Sequence, residues 1–426
     1  MASPHRSAPA RLIVVDPGHF HASLLQRDMY PDLAERVSVY ARLGPELLDY
    51  LSRISLFNSR NDNPTRWELD VHTSKDPMSA MLQDRAGDAV VFTGRNRGKI
   101  DRILAALENG LHVFADKPWI ISSADMGKLE QALALADRKE LAAFDIMTER
   151  YEITSILQRE FVNVTEVFGT LEAVNARSIH HISKTVAGLP LRRPPWFFDI
   201  EEYGEALADV GTHVVDLVQW TAFPDQVLDY RQDIEMSAGR HWPLTLTKSQ
   251  FQQVTGEAEF PPRLAPHIRD GMLDYLCNIS VSYTLRGVPV TLDILWNWEA
   301  PRGSGDVYEA VFHGTRARVE LRQTNLPELY IVPGNAGVRA EVFAAVRGKV
   351  AALQSTWAGI AVEESATEAR LAIPETFRVG HEAHFAQVAR RFLEYMTAPK
   401  AVPAWERPNM LAKYYVSTTG VELANR

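Results

Sequence analysis

What most constrains this chain is the alternation, over its first third, of short β-branched runs with helix-length amphipathic stretches. Leu12-Ile13-Val14-Val15 stops at Asp16-Pro17-Gly18, and a helix-compatible stretch follows through Gln26. Residues 36–40, 69–72, 89–92 and 111–115 read as four further strands. Residues 100–109 form an amphipathic helix closed by Gly110, and 126–139 another. Continuous apolar strands alternating with helices predict a parallel sheet covered on both faces, a Rossmann doubly wound sheet. Ligands of such a sheet lie beyond the carboxyl ends of its strands.

The pattern changes near residue 150. Residues 172–181, 227–237, 279–285, 288–296, 308–312 and 316–321 read as strands, with Arg286-Gly287 and His313-Gly314-Thr315 as turns. They predict an α+β domain with a large, mostly antiparallel open sheet, covered by a helix that begins near Glu205. The proline- and glutamine-rich stretch 240–270 reads as an insertion, and 340–426 as helical. A chain of 426 residues outgrows one core, so two domains are expected, 1–148 and 149–426.

Acidic residues outnumber basic ones, 54 to 45, for a net charge of −9, which excludes a nucleic-acid footprint. Cys277 is the only cysteine, so no intrachain disulfide and no Cys-based zinc site can form. The first ten residues lack the apolar core of a signal peptide, and no apolar run reaches the roughly 20 residues that span a bilayer. A cytoplasmic protein is expected, with no membrane partner.

Three segments can carry chemistry. In Asp16-Pro17-Gly18-His19-Phe20-His21-Ala22 only the middle glycine of a G-x-G-x-x-G turn remains. The backbone around Gly18 and the imidazoles of His19 and His21 could donate to a pyrophosphate; alternatively, Asp16 simply caps the next helix. The second strand ends in Tyr40-Ala41-Arg42, with no acid for a ribose 2′-hydroxyl. Arg42 could take a 2′-phosphate or be a solvated surface residue, so NAD and NADP both stay open, with a slight lean to NAD. Thr93, Arg95 and Asn96, after the fourth strand, face the same edge.

The second segment is Asp116-Lys117-Pro118, just past a buried strand. A lysine there is costly unless a site uses it, and beside a cationic nicotinamide it would share a substrate proton. The third is Gly204 to Asp216. If it is helical, Asp209 and His213 share a face at i and i+4, with Asp216 close to it, and an imidazole is the side chain best poised to accept a proton near neutral pH. A buried polar pair at a helix start is the plainer alternative. His180-His181 could reach the same pocket, but adjacent strand residues point to opposite faces, so at most one would serve, and no metal is expected. Gly380-His381-Glu382-Ala383-His384 is one residue short of a zinc-protease motif.

Ala115-Asp116-Lys117-Pro118 together with Gly-x4-Asp-x-Gly-x-His-x2-Asp resembles the glucose–fructose oxidoreductase/inositol dehydrogenase/MocA family. The resemblance runs best from Leu12 to about Leu321. It implies a Rossmann domain, a C-terminal domain whose open sheet forms a homodimer or homotetramer, and an active site lined by Lys117, Asp209 and His213. The altered turn, Asp145 to Tyr151, and Arg193 to Asp199 are similar to a bacterial branch with its own C-terminal domain, some of whose members oxidise sugars or glycosides. The expected activity is NAD(P)-dependent hydride transfer to or from a secondary alcohol of a sugar, glycoside or polyol. Arg150, His181 and Trp196 are the substrate-binding candidates, Trp196 being equally a packing residue. The rival readings are a glycoside hydrolase or lyase that oxidises its substrate transiently through NAD, and a non-catalytic nucleotide sensor.

Overall fold

The computed structural model describes residues 8–186, 189–301 and 305–426. It divides into two compact units, the first made of residues 1–148, 201–203 and 381–404, and the second of the rest.

In the first unit β1 (Leu12–Val15), β2 (Arg36–Ala41), β3 (Glu68–Thr73), β4 (Ala89–Phe92), β5 (His112–Ala115) and β6 (Ala143–Asp145) form one six-stranded sheet in the order β3-β2-β1-β4-β5-β6. All its pairings are parallel. Every residue of β1 and β4 is buried, which is why these strands read as unbroken apolar runs rather than alternating ones. The crossovers carry α1 (His21–Leu25), α2 (Pro45–Ser59), α3 (Pro77–Asp84), α4 (Lys99–Glu108) and α5 (Met126–Arg138).

In the second unit α6 (Ile153–Val162) and α7 (Thr165–Phe168) lead into β7 (Leu171–Ser183), followed by the small hairpin β8 (Thr185–Val186) and β9 (Leu189–Pro190). After α8 (Ile200–Tyr203), most of which belongs with the first unit, come α9 (Gly211–Ala222), β10 (Ile234–Leu246), α10 (Lys248–Thr255), β11 (Ile268–Arg269), β12 (Met272–Leu285) and β13 (Val288–Glu299). Next are β14 (Val307–Gly314), β15 (Ala317–Gln323), β16 (Pro327–Pro333), α11 (Arg339–Leu353), β17 (Ala361–Glu364) and β18 (Ala369–Ala372). The chain ends with α12 (His381–Thr397) and α13 (Glu406–Ala424). The large sheet runs β10-β12-β13-β7-β14-β15-β16-β18-β17 and is antiparallel except where β13 lies parallel to β7. Burial alternates along β13, so one face packs inward.

Three expectations change. Residues 240–246 are not an insertion but the second half of β10, paired with β12 along its length; only α10 and the turns around it leave the sheet. Pro243 disguised the strand. It sits at a register shift on the edge strand, where a missing N–H costs no ladder bond. The expected strand at 227–237 begins only at Ile234. Finally, the domain division expected at 148/149 is not one cut, because α12 groups with the first unit.

Candidate active site

In the first unit β1 ends in a tight turn. The Asp16 N–H extends the β2 pairing by donating to the Tyr40 carbonyl at 2.9 Å, Asp16 then adopts φ 44°, and the Gly18 N–H returns to the Asp16 carbonyl at 2.6 Å. Asp16 does not cap α1, whose N-cap is Phe20 with no side-chain bond. Gly94 makes this turn possible. A Cβ there would stand 2.7 Å from the Asp16 carbonyl, so only glycine admits this approach of the β4 loop.

The two imidazoles of the turn converge on the end of β5. His19 Nδ1 lies 3.0 Å and His21 Nδ1 2.9 Å from the same oxygen, Asp116 Oδ2. Burial raises the Asp116 carboxyl, but His21 and His19, by charge and hydrogen bond, hold it well below the usual carboxylate range. Burial in turn pushes His21 down. The pair therefore rests as an ionised carboxylate accepting Nδ1–H bonds. Asp116 Oδ1 is buried with no hydrogen-bond partner among the described residues. The three side chains are close enough together to hold an ion, although their mutual bonds account for the geometry without one.

Lys117 is 6% exposed, so the lysine at the strand end is indeed buried. The Phe20 ring lies against both imidazoles, with centroids 4.4 Å from His19 and 4.5 Å from His21. Thr93 is buried, with its hydroxyl 3.5 Å from the His19 carbonyl. Arg95 offers its carbonyl to Arg102. Asn96 spends its amide on structure, donating to the Tyr203 carbonyl at 2.6 Å and accepting from Lys99 at 2.6 Å. Lys99 escaped the sequence reading. It is 1% exposed and also donates to the Asp116 carbonyl at 2.9 Å, which ties the β4 loop to the Asp116-Lys117 turn. A cation in the first turn of a helix opposes the macrodipole, and that was the missed signal.

Acid should destabilise this unit. Burial lowers His384 of α12 to about 4 and lowers His21 as well. A group with a depressed folded pKa binds its proton more readily when unfolded. Its stabilisation is therefore complete above the unfolded value near 6.5 and is lost as pH falls towards 4. For His384 alone the loss is on the order of 3 kcal/mol. Melting temperature measured from pH 7 to pH 4 should fall, and more gently in His384→Gln; parallel profiles for the two proteins would refute the assignment.

In the second unit Asp209 is buried but lies ahead of α9, not on it: the helix begins at Gly211. The expected i, i+4 helical face is therefore corrected. Residues 206–210 form turns in which the Gly211 N–H reaches back to the Ala206 carbonyl at 2.9 Å. A Cβ on Gly211 would meet Leu207 at 2.9 Å and Ile294 at 3.2 Å, so glycine starts the helix hard against β13. The Asp209 carbonyl accepts from the Thr212 hydroxyl at 2.6 Å, and His213 is half-buried in the first turn.

Two substrate-binding candidates prove structural. Arg150 donates through Nε and Nη2 to Asp216 at 2.6 and 2.7 Å and through Nη1 to Glu406 at 2.8 Å, so its guanidinium is spent inside the fold. Trp196 is 1% exposed, a packing residue with no face to offer a sugar. The third, His181, belongs to a cluster. His180 Nδ1 and His181 Nδ1 both reach Asp306, at 3.1 and 3.3 Å, and Lys184 donates to it at 2.5 Å. The His181 N–H also donates to Asp306, at 3.2 Å. His180 packs on Trp296 with centroids 5.2 Å apart, and Arg193 lies over the same indole.

The comparisons agree with this architecture. A putative oxidoreductase from Parabacteroides merdae ATCC 43184 is 38% identical to this chain over 98% of both chains, with a TM-score of 0.93. Levoglucosan dehydrogenase, solved with NADH and levoglucosan, shares the fold at a TM-score of 0.62 and 13% identity, over 97% of this chain and 96% of its own. KijD10, a 3-ketoreductase from Actinomadura kijaniata solved with NADP and TDP-benzene, does so at 0.60 and 15%, over 97% and 98%. No curated protein matches the sequence. Residues 157–425, well over half the chain, match the family described as Putative oxidoreductase C terminal domain, and with its Rossmann sheet and strand-end lysine the chain belongs to that oxidoreductase family.

Proposed function

We propose that the protein is an NAD(P)-dependent oxidoreductase of the glucose–fructose oxidoreductase/inositol dehydrogenase/MocA kind, on the branch marked by the Asp16 to Ala22 turn. Its substrate is a secondary alcohol of a sugar, glycoside or polyol. One observation carries the reading: an ionised carboxylate and a lysine, Asp116 and Lys117, are buried side by side at the carboxyl end of β5. Burying such groups is costly, and this edge is where a doubly wound sheet binds its ligand. The residues present fit a dinucleotide, since the orphaned Asp116 Oδ1 suits a ribose hydroxyl donor. The Gly18 backbone, His19, Phe20 and His21 would hold the pyrophosphate, flanked by Thr93 and Arg95.

The nicotinamide, when bound, supplies or accepts the hydride. Lys117 hydrogen-bonds the reacting oxygen and polarises it. His213 accepts the hydroxyl proton in the oxidative direction and returns it in reduction, with Asp209 at the head of its helix orienting the substrate. That levoglucosan dehydrogenase and the 3-ketoreductase KijD10 carry this fold supports a sugar-like substrate. A cytoplasmic homodimer or homotetramer, joined through the open sheet, completes the proposal. The chain has no helix long and apolar enough to cross a membrane among its described residues.

Mass spectrometry of nucleotide released on denaturation, followed by a polyol and glycoside screen at 340 nm, tests this. NAD(P) in the released fraction and absorbance change with at least one alcohol are expected. Glycoside cleavage without net NAD(P)H formation would replace the dehydrogenase with a transient-oxidation enzyme.

A further inference from the structure

The end of β2 carries a feature that the proposed reaction does not use. An open cleft of about 540 Å³ is lined by Arg42 and Leu43, just past β2, and by Thr73, Ser74 and Lys75 at the end of β3. The two strands are neighbours, so the cleft lies at the carboxyl edge of the sheet, on the side of β1 away from Lys117. In a doubly wound sheet this is where the adenosine ribose of a dinucleotide rests. An acid after the second strand binds the 2′-hydroxyl of NAD, and an arginine accommodates the 2′-phosphate of NADP.

Among the described residues no acid lines this cleft. β2 ends at Ala41, followed by Arg42, Leu43 and Gly44. The first carboxylate after them, Glu46, stands 3.8 Å from the Arg95 guanidinium. Asp76 lies near Arg42 but is committed to capping α3: it accepts from the Ser79 N–H at 3.2 Å and the Ser79 hydroxyl at 2.6 Å. Arg42 is held in place through Nε, which donates to the Lys75 carbonyl at 3.1 Å. That bond leaves both terminal nitrogens to form a fork, and among the described residues neither Arg42 nor Lys75 pairs with a carboxylate. A pre-positioned guanidinium, an ammonium and the Thr73 and Ser74 hydroxyls around one cleft make a receptor for a phosphate dianion.

We infer that Arg42 and Lys75 bind the 2′-phosphate of NADP(H) and make the protein prefer NADP(H) to NAD(H). The inference rests on the dinucleotide reading above. It shifts to NADP the slight lean towards NAD, because the cleft supplies a cationic fork where NAD needs a carboxylate.

The test is equilibrium binding, not turnover. NADPH and NADH are titrated by their fluorescence, and 2′,5′-ADP and 5′-AMP by calorimetry as probes of the adenosine end alone. NADPH should bind about 10- to 100-fold more tightly than NADH, and 2′,5′-ADP should exceed 5′-AMP by a similar factor. Arg42→Ala should erase most of that preference while leaving NADH affinity within about twofold, and Lys75→Ala should weaken NADPH less, as expected for a point charge without the fork. The preference should also shrink as salt is raised. Equal affinities for NADH and NADPH, or an Arg42→Ala variant that loses both equally, would overturn the inference while leaving the dinucleotide reading intact. If neither nucleotide nor either fragment binds, both readings fall.

Discussion

Replacing Lys117 or His213 by alanine is expected to lower turnover by roughly 10²–10⁴ while the protein stays folded, the range for loss of a positioned general acid or base. The two variants should differ in kind. Lys117 is buried at the end of β5, so its ammonium acts where water cannot stand in for it. Lys117→Met, which keeps the length and loses the charge, should therefore be as inactive as the alanine variant. His213 is half-buried at the first turn of α9, where its proton can exchange with solvent. His213→Ala should recover part of its activity with added imidazole, whereas Lys117→Ala should not. The measurement is steady-state turnover on whichever alcohol the substrate screen identifies, with near-ultraviolet circular dichroism as the control for folding. Near-normal turnover in both variants would sink the assignment of these residues as the proton-handling pair.

Legibility in the sequence followed the range of the interactions. The parallel sheet was readable because burial on both faces leaves nothing but apolar residues in β1 and β4, a purely local signature. Asp116 and Lys117 were readable for a related reason: charge directly after such a run is anomalous wherever it occurs. β10 was not, because an edge strand tolerates Pro243 and a half-exposed strand tolerates polar residues, so its composition imitates a loop. The Asp209–His213 spacing suggested one helical face, but Gly211 is needed against Ile294 and starts the helix two residues after Asp209. The sharing of Asp116 by His19 and His21 joins residues more than ninety apart, and nothing near Asp16-Pro17-Gly18 announces it. Arg150 misled for the same reason on a longer scale. An arginine after the last Rossmann strand looks available until the chain is seen to bring Glu406 back to it, 256 residues later.

That misreading yields the second large effect, on stability. Arg150→Ala is expected to cost about 3–5 kcal/mol, the penalty for breaking a buried ion pair and leaving its partner behind. Asp216 is 3% exposed and Glu406 7%; the first accepts two bonds from the guanidinium and the second two more, at 2.8 and 3.1 Å. Burial raises the Asp216 carboxyl, but Arg150 and then Lys413 outweigh it and hold the group at about 2. Its contribution to stability is therefore complete above the unfolded value near 3.8 and is lost only as pH falls through 2. Without Arg150 the Asp216 carboxyl keeps only the Lys413 bond, at 3.2 Å, so this pH-dependent contribution should shrink. At about 2–4 °C per kcal/mol for a unit of this size, the melting temperature should drop by roughly 6–20 °C. Arg150→Lys should recover only part of this, since an ammonium cannot make the paired bonds of the fork. The outcome also separates the two roles considered for this residue. A substrate ligand would leave the melting temperature in place and raise KM, whereas a brace tying the segment ahead of α6 to α9 and α13 lowers the melting temperature and leaves KM of the surviving folded enzyme near normal. An Arg150→Ala protein that melts with the parent and binds substrate poorly would return Arg150 to the substrate site.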